Sequence, residues 1–296
     1  MNSPSTLRYG SQAQQFAALV GGREQLQRIA EYFGERRISL MPLKGMLLRE
    51  RYYEDPLSRP VKDIDLLVPR ARYQEAIRCL EELEYIRTDP TSPNHFQCAL
   101  RRKGSLLAVD LHRSLFEDTR YGLDTAGVFR RAELNESVFG TPVSLMNELD
   151  VVGHLVGKLA SDHVALAHPS RLEDLRRAGR RLSVSPAVLG RHLDDHGLSR
   201  AARYTTGLLQ RSGGLPPGLQ GLNALSADPW GSALAELAVK TGVLCGGTSV
   251  PAKVTALGLT GSTLGSVGLI FAGMRKRFRR SREKIESRTN VIGSSE

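Results

Sequence analysis

Arg59-Pro60-Val61-Lys62-Asp63-Ile64-Asp65-Leu66-Leu67-Val68-Pro69 is the stretch whose reading decides the fold. Asp63 to Val68 reads as a β-strand with a polar start and an apolar body, closed by a proline that cannot continue a ladder. Side chains alternate across a strand, so Asp63 and Asp65 share one face. Two carboxylates side by side repel each other unless a cation stands between them. Oxygen-rich sites of this kind suit Mg²⁺, which binds through one or two carboxylates together with substrate phosphates. Taken alone, an Asp-x-Asp at a strand start is equally a solvated strand end or a turn cap.

Outward from this strand, the pattern predicts an α+β first half. Phe16, Leu19, Val20, Leu26, Ile29, Ala30 and Phe33 recur at helical spacing, which predicts a helix over about 13–37 that stops near Gly34. A short extended run from Ile38 to Leu43 meets Lys44-Gly45, and Met46 to Tyr53 is helical. Arg72 to Leu83 is an amphipathic helix with Tyr73, Ala76, Ile77 and Leu80 inside. His95–Leu100 and Leu106–Leu111 form a hairpin turned at Arg102-Lys103-Gly104-Ser105. Asp110 is a lone acid in that second apolar strand, costly if buried without a partner. A third carboxylate on a strand neighbouring Asp63 and Asp65 completes a two-metal site, which aligns attacking and leaving oxygens in phosphoryl transfer. From Pro142 onward the pattern is helical to about Gln210, and Ser212 to Gly218 reads as a linker.

Several motifs in a fixed order carry a resemblance. Leu43-Lys44-Gly45-Met46-Leu47-Leu48 is followed by Tyr53-x-Asp55-Pro56, then Arg59-Pro60, the Asp63–Val68 strand, and Val109-Asp110-Leu111-His112. This resembles the uncharacterised nucleotidyltransferase family of the DNA polymerase β-like nucleotidyltransferase superfamily. The likeness covers about Ile38 to Asp118 and, more loosely, the helical region to about Arg180. It implies a small mixed sheet with flanking helices and Mg²⁺-dependent transfer of an NMP from an NTP to an acceptor hydroxyl. Asp63, Asp65 and Asp110 would hold the metal, and Asp110 would help deprotonate the acceptor. Gly45 would let a phosphate approach backbone N–H groups at a helix N-terminus, while Lys44 and Arg59 would neutralise phosphate charge. His112, on the Asp110 strand face, either orients substrate or is a hydrogen-bonded structural histidine. The chain departs from the superfamily in having Lys-Gly-Met where Gly-Ser or Gly-Gly is usual, which removes one side-chain donor to phosphate. Ser170-Arg171-Leu172-Glu173-Asp174-Leu175 resembles the family's Arg-Leu-x-x-Asp-Leu segment. There Asp174 either contacts substrate or belongs with helix ion pairs such as Arg171–Asp174 and Glu173–Arg177.

The rest of the 296 residues bounds this reading. Hydrophobic residues at 41% and charged residues at 24% exclude a wholly disordered or collagen-like chain. The net charge of +10 favours an anionic partner, but the last 26 residues carry +5 of it. The body is therefore only mildly basic, and no long nucleic-acid footprint is required. Cys79, Cys98 and Cys245 are too few and too scattered for a disulfide framework or a zinc site, and Met1 to Gln15 lacks a signal-peptide layout, so the compartment reads as cytoplasmic. His154, His163 and His168 form no HExxH pattern. The expected division is 1–141 for catalysis, 142–211 for a helical part covering the acceptor side, and 212–296 for a linker, C-terminal helices and a basic tail. Val254 to Met274 has no charged residue and precedes a cluster at 275–284. It reads as a buried helix, a surface anchor on an anionic membrane, or a spanning helix. The acceptor, whether small molecule, sugar, protein or tRNA end, is open. Two rival functions are an inactive nucleotide- or partner-binding module and a membrane-surface accessory of a biosynthetic assembly.

Overall fold

A computed structural model describes residues 12–88, 96–117, 120–161, 169–225, 232–233, 236–237 and 259. The fold is α+β. A long helix, α1 (Gln12–Glu35), leads through a short strand, β1 (Met41–Pro42), into α2 (Lys44–Tyr52). The strand carrying the two aspartates, β2 (Asp63–Leu67), is followed by α3 (Tyr73–Glu82). As expected, α3 buries Tyr73, Ala76, Ile77 and Leu80 on one face. Then come β3 (Tyr85–Arg87), β4 (Gln97–Arg102) and β5 (Ala108–His112). The sheet order is β1-β2-β5-β4-β3, with β2 and β5 parallel and every other neighbour antiparallel.

The hairpin turns where the sequence places it: β4 runs on to Arg102, the Ser105 N–H donates to the Arg102 carbonyl at 3.1 Å, and Gly104 takes a φ of +78° that suits glycine. One expectation needs correction. The helix expected from Pro142 begins only at Glu148. Val143–Leu145 is instead a strand, β7, paired with β6 (Glu133–Asn135) beyond α4 (Thr125–Arg131). The edge strand β3 has no counterpart in the sequence reading.

The second half is helical: α5 (Glu148–Ser161), α6 (Pro169–Arg181), α7 (Pro186–Asp195) and α8 (Ser199–Arg211). Helix α5 is the hub. It is buried from Asp150 to Ala160 almost all round, the signature of a helix enclosed by others. Gly157 permits this packing, since a Cβ there would lie 2.4 Å from Phe116 Cζ. After α8, Gly213 and Gly214 at φ +122° and +89° turn the chain, and a 3₁₀ helix, Pro217–Ala224, buries Leu219 and Leu222 against α6 and α7.

Asp150 is the buried carboxylate of this hub, at 0% exposure. It accepts from Arg131 Nε at 3.0 Å and Nη2 at 2.9 Å, and His192 Nε2 stands 3.2 Å away. Burial opposes its charge, but His192 and Arg131 outweigh burial and hold its carboxyl below the usual range. A depressed folded pKa gives stability that is complete above the unfolded value near ~4 and is lost as pH falls through the folded value. Urea unfolding at pH 7 and at about pH 3 checks this. Asp150→Asn is expected to be clearly weaker than the parent at pH 7, with the gap narrowing at the lower pH.

His95, His163, His168, Trp230, Cys245 and the 275–284 cluster lie outside the described residues. Of Val254–Met274 only Leu259 is described. It is fully buried, and its carbonyl accepts from the Tyr121 hydroxyl at 3.0 Å. Among the described residues, no helix is long and apolar enough to cross a membrane.

Candidate active site

The register of β2 assembles the site. Asp65 stands directly opposite Asp110 in the parallel β2–β5 pair, and Asp63 is opposite Ala108. Period-two alternation puts Asp63, Asp65, Asp110 and His112 on one face of two adjacent strands. Ligand-capable atoms of Asp65, Asp110 and His112 lie within 4.8 Å of one another. Asp63 stands outside that trio but close enough for Asp65 and Asp110 to act on its charge.

Lys44 enters from the other side. The Leu43 N–H donates to the Asp65 carbonyl at 2.9 Å, continuing the β1–β2 pairing, so the chain leaves β1 alongside Asp65. Lys44 then takes a left-handed backbone, φ +46°, uncommon for a residue with a Cβ. Its ammonium rests on Asp65 Oδ1. Gly45 follows in the first turn of α2, where a Cβ would sit 3.2 Å from Val61 Cγ2, so glycine keeps this corner tight.

The three carboxylates differ in electrostatics. Burial, then repulsion from Asp65 and Asp110, pushes Asp63 up to about 6. Burial, then Asp65, also raises Asp110. For Asp65 burial works against the charge, but the His112 hydrogen bond and the Lys44 ammonium prevail and hold it well below the usual carboxylate range. For Lys44 burial likewise works against the charge, and the attraction of Asp65, then Asp63 and Asp110, prevails and raises it. Burial lowers His112 against the pull of Asp65. The neutral ring donates from Nε2 to Asp65 Oδ1 at 2.9 Å, because an ionised carboxylate only accepts.

A cleft of about 260 Å³ opens over this face, with Lys44, Gly45, Asp63 and Asp65 on its sheet side. Its helical side presents His154 and Lys158 from α5 and Arg171 from α6, and Arg59 and Lys62 close one flank. Asp110 and His112 lie one strand further along the sheet. Lys62, Lys158 and Arg171 were not expected at the site from the sequence, and His154 was noted there only as part of no HExxH pattern. The available signal was the pair His154 and Lys158, the two polar residues, at i and i+4, in the otherwise apolar stretch 151–160 of α5.

Arg59 is already engaged. Its Nε and Nη2 donate to the two oxygens of Asp174 at 2.8 and 2.9 Å, and Nη1 donates to the Pro60 carbonyl at 2.7 Å. The Tyr53 hydroxyl adds a third bond to Asp174 at 2.7 Å. Of the helix pairs expected around this position, Glu173–Arg177 is present at 2.8 Å. Asp174 itself clamps the loop before β2 onto α6.

The chemistry of the donor set fits a divalent cation. Asp63, Asp65 and Asp110 bring carboxylate oxygens to one face, and two of the three resist ionising in each other's company. A family model described as "Uncharacterised nucleotidyltransferase" matches residues 11–213. No curated protein matches the chain.

Proposed function

Because the chain belongs to the uncharacterised nucleotidyltransferase family, a transferase of phosphorus-containing groups, we propose that it moves an NMP from an NTP to an acceptor hydroxyl with release of pyrophosphate. The observation that carries this reading is Asp65 and Asp110 paired across two parallel strands, with Asp63 on the same face and Lys44 pointing in from a helix start. Asp63, Asp65 and Asp110 would hold Mg²⁺, which when bound supplies Lewis-acid stabilisation of charge on the phosphoryl oxygens. The acceptor oxygen forms a bond to the α-phosphorus. The α–β bridging bond breaks, and pyrophosphate leaves with that electron pair. Asp110, whose carboxyl is raised by burial, takes the hydroxyl proton on a carboxylate oxygen. Lys44, Lys62, Lys158 and Arg171 neutralise the triphosphate, and the Gly45 backbone at the start of α2 meets it closely. Residues 1–141 carry the chemistry in this account, and the helical part, 142–211, lends Lys158 and Arg171 to the triphosphate and covers the acceptor side.

Labelled NTPs test the reaction class. With Mg²⁺ and a cell extract, an α-³²P-labelled NTP is expected to label an acceptor, whereas the same NTP labelled at the γ-position leaves the acceptor unlabelled. Transfer of the γ-label instead would make the protein a kinase and overturn the reading.

A further inference from the structure

Asp65 holds a cation of the chain's own. Its Oδ1 carries the Lys44 ammonium and also accepts from His112 Nε2 at 2.9 Å. That one oxygen therefore has two nitrogen partners. Asp63 and Asp110 add their charges around the same ammonium. This placement follows from the left-handed turn at Lys44, which starts α2 beside Asp65. The side chain is not locked in, because 29% of it is exposed toward the cleft. A lysine is a compact point charge on a flexible stem, so it can exchange one anion for another without moving the backbone.

A divalent cation on Asp65 needs carboxylate oxygen at about 2.1 Å for Mg²⁺. An ammonium resting on the same oxygen repels it, and the two charges sit where burial weakens solvent screening. Resting on the nucleotidyl-transfer reading, we infer that Lys44 is a built-in counter-cation on Asp65, displaced when a divalent metal binds and passed to the nucleotide's phosphates. The free protein then holds bare metal weakly, and metal and NTP bind best together. The ammonium keeps Asp65 charged and in place until both arrive. Gly45 leaves the phosphates within reach of the same residue, because Lys44 and Gly45 line one cleft with Asp63 and Asp65.

Mn²⁺ binding to the full-length, nucleotide-free protein tests this, with unbound Mn²⁺ followed by electron paramagnetic resonance. Lys44→Met is expected to bind Mn²⁺ at least tenfold more tightly than the parent. The gain should vanish when Asp65→Asn is added. Lys44→Gln, which keeps a donor for Asp65 but no charge, should show the same tightening and guards against a folding defect in Lys44→Met. Equal or weaker Mn²⁺ binding by both Lys44 variants, with binding still lost in Asp65→Asn, would overturn the counter-cation while leaving the metal site standing. Mn²⁺ binding that ignores Asp65→Asn and Asp110→Asn in every background would overturn the underlying reading as well.

Discussion

Asp65→Asn is expected to lower nucleotidyl transfer by roughly a thousandfold, since metal-ion charge stabilisation is worth several kcal/mol and each ~1.4 kcal/mol is tenfold in rate. Asn keeps the shape of the side chain and removes the charge and one ligand oxygen. Asp63→Asn and Asp110→Asn should silence transfer in the same way. Stability separates the three. Asp65 is held ionised by His112 and Lys44, so neutralising it in metal-free protein removes favourable interactions and lowers the unfolding midpoint. Asp63 and Asp110 are raised by burial and by their neighbours' charge, so neutralising either relieves repulsion and leaves the midpoint equal or higher. Urea unfolding in chelator, run beside the label-transfer assay, reads both effects. A common fall in stability for all three variants would mean that lost folding, rather than lost chemistry, explains the lost activity.

Asp174→Ala is expected to cost about 3 kcal/mol of stability, the usual consequence of stripping one partner from a buried, well-bonded ion pair. Asp174 is 2% exposed and receives both Arg59 bonds and the Tyr53 hydroxyl. Its loss leaves the guanidinium and the phenol without their acceptor. The loop from Arg59 to Lys62 also loses its tie to α6, and this loop forms one flank of the cleft. Transfer should therefore fall with the main loss in KM for the NTP, because the flank that meets the phosphates is no longer held. Arg59→Met in the same chain removes the charge that has lost its buried carboxylate, so the Arg59→Met/Asp174→Ala pair should be less destabilised than the two single losses added together. A double-mutant cycle by urea unfolding measures that coupling. Strict additivity would show that the clamp does not operate in solution.

The parts of this site that the sequence made legible are those written in local periodicity. Asp63 and Asp65 announce a shared strand face by their spacing, and Asp110 announces itself as an acid in an apolar strand. Their meeting depends on β2 and β5 lying parallel and in register, a long-range fact that only the motif order anticipated. Asp174 was harder. Its sequence neighbours offer i, i+3 and i, i+4 partners that resemble ordinary helix pairs, while its actual partner Arg59 is 115 residues away. The three-residue strands escaped for a related reason. Val143–Leu145 is too short to display alternation, and its pairing with Glu133–Asn135 is settled by tertiary contact. Tyr85–Arg87 is an edge strand with Ile86 and Arg87 exposed, so no buried face writes a pattern there. His154 and Lys158 were visible as the polar residues of an apolar stretch, but which side of that helix faces a cleft is decided by how α5 packs among α6, α7 and α8.

The carboxylates of β2 are central to the proposed chemistry. Its most direct test is label transfer from an α-³²P-labelled NTP by the Asp63→Asn/Asp65→Asn double variant, compared with the parent at equal folded concentration and saturating Mg²⁺. The prediction is no labelled acceptor and no pyrophosphate above the protein-free background. Labelling at the parent rate would contradict it.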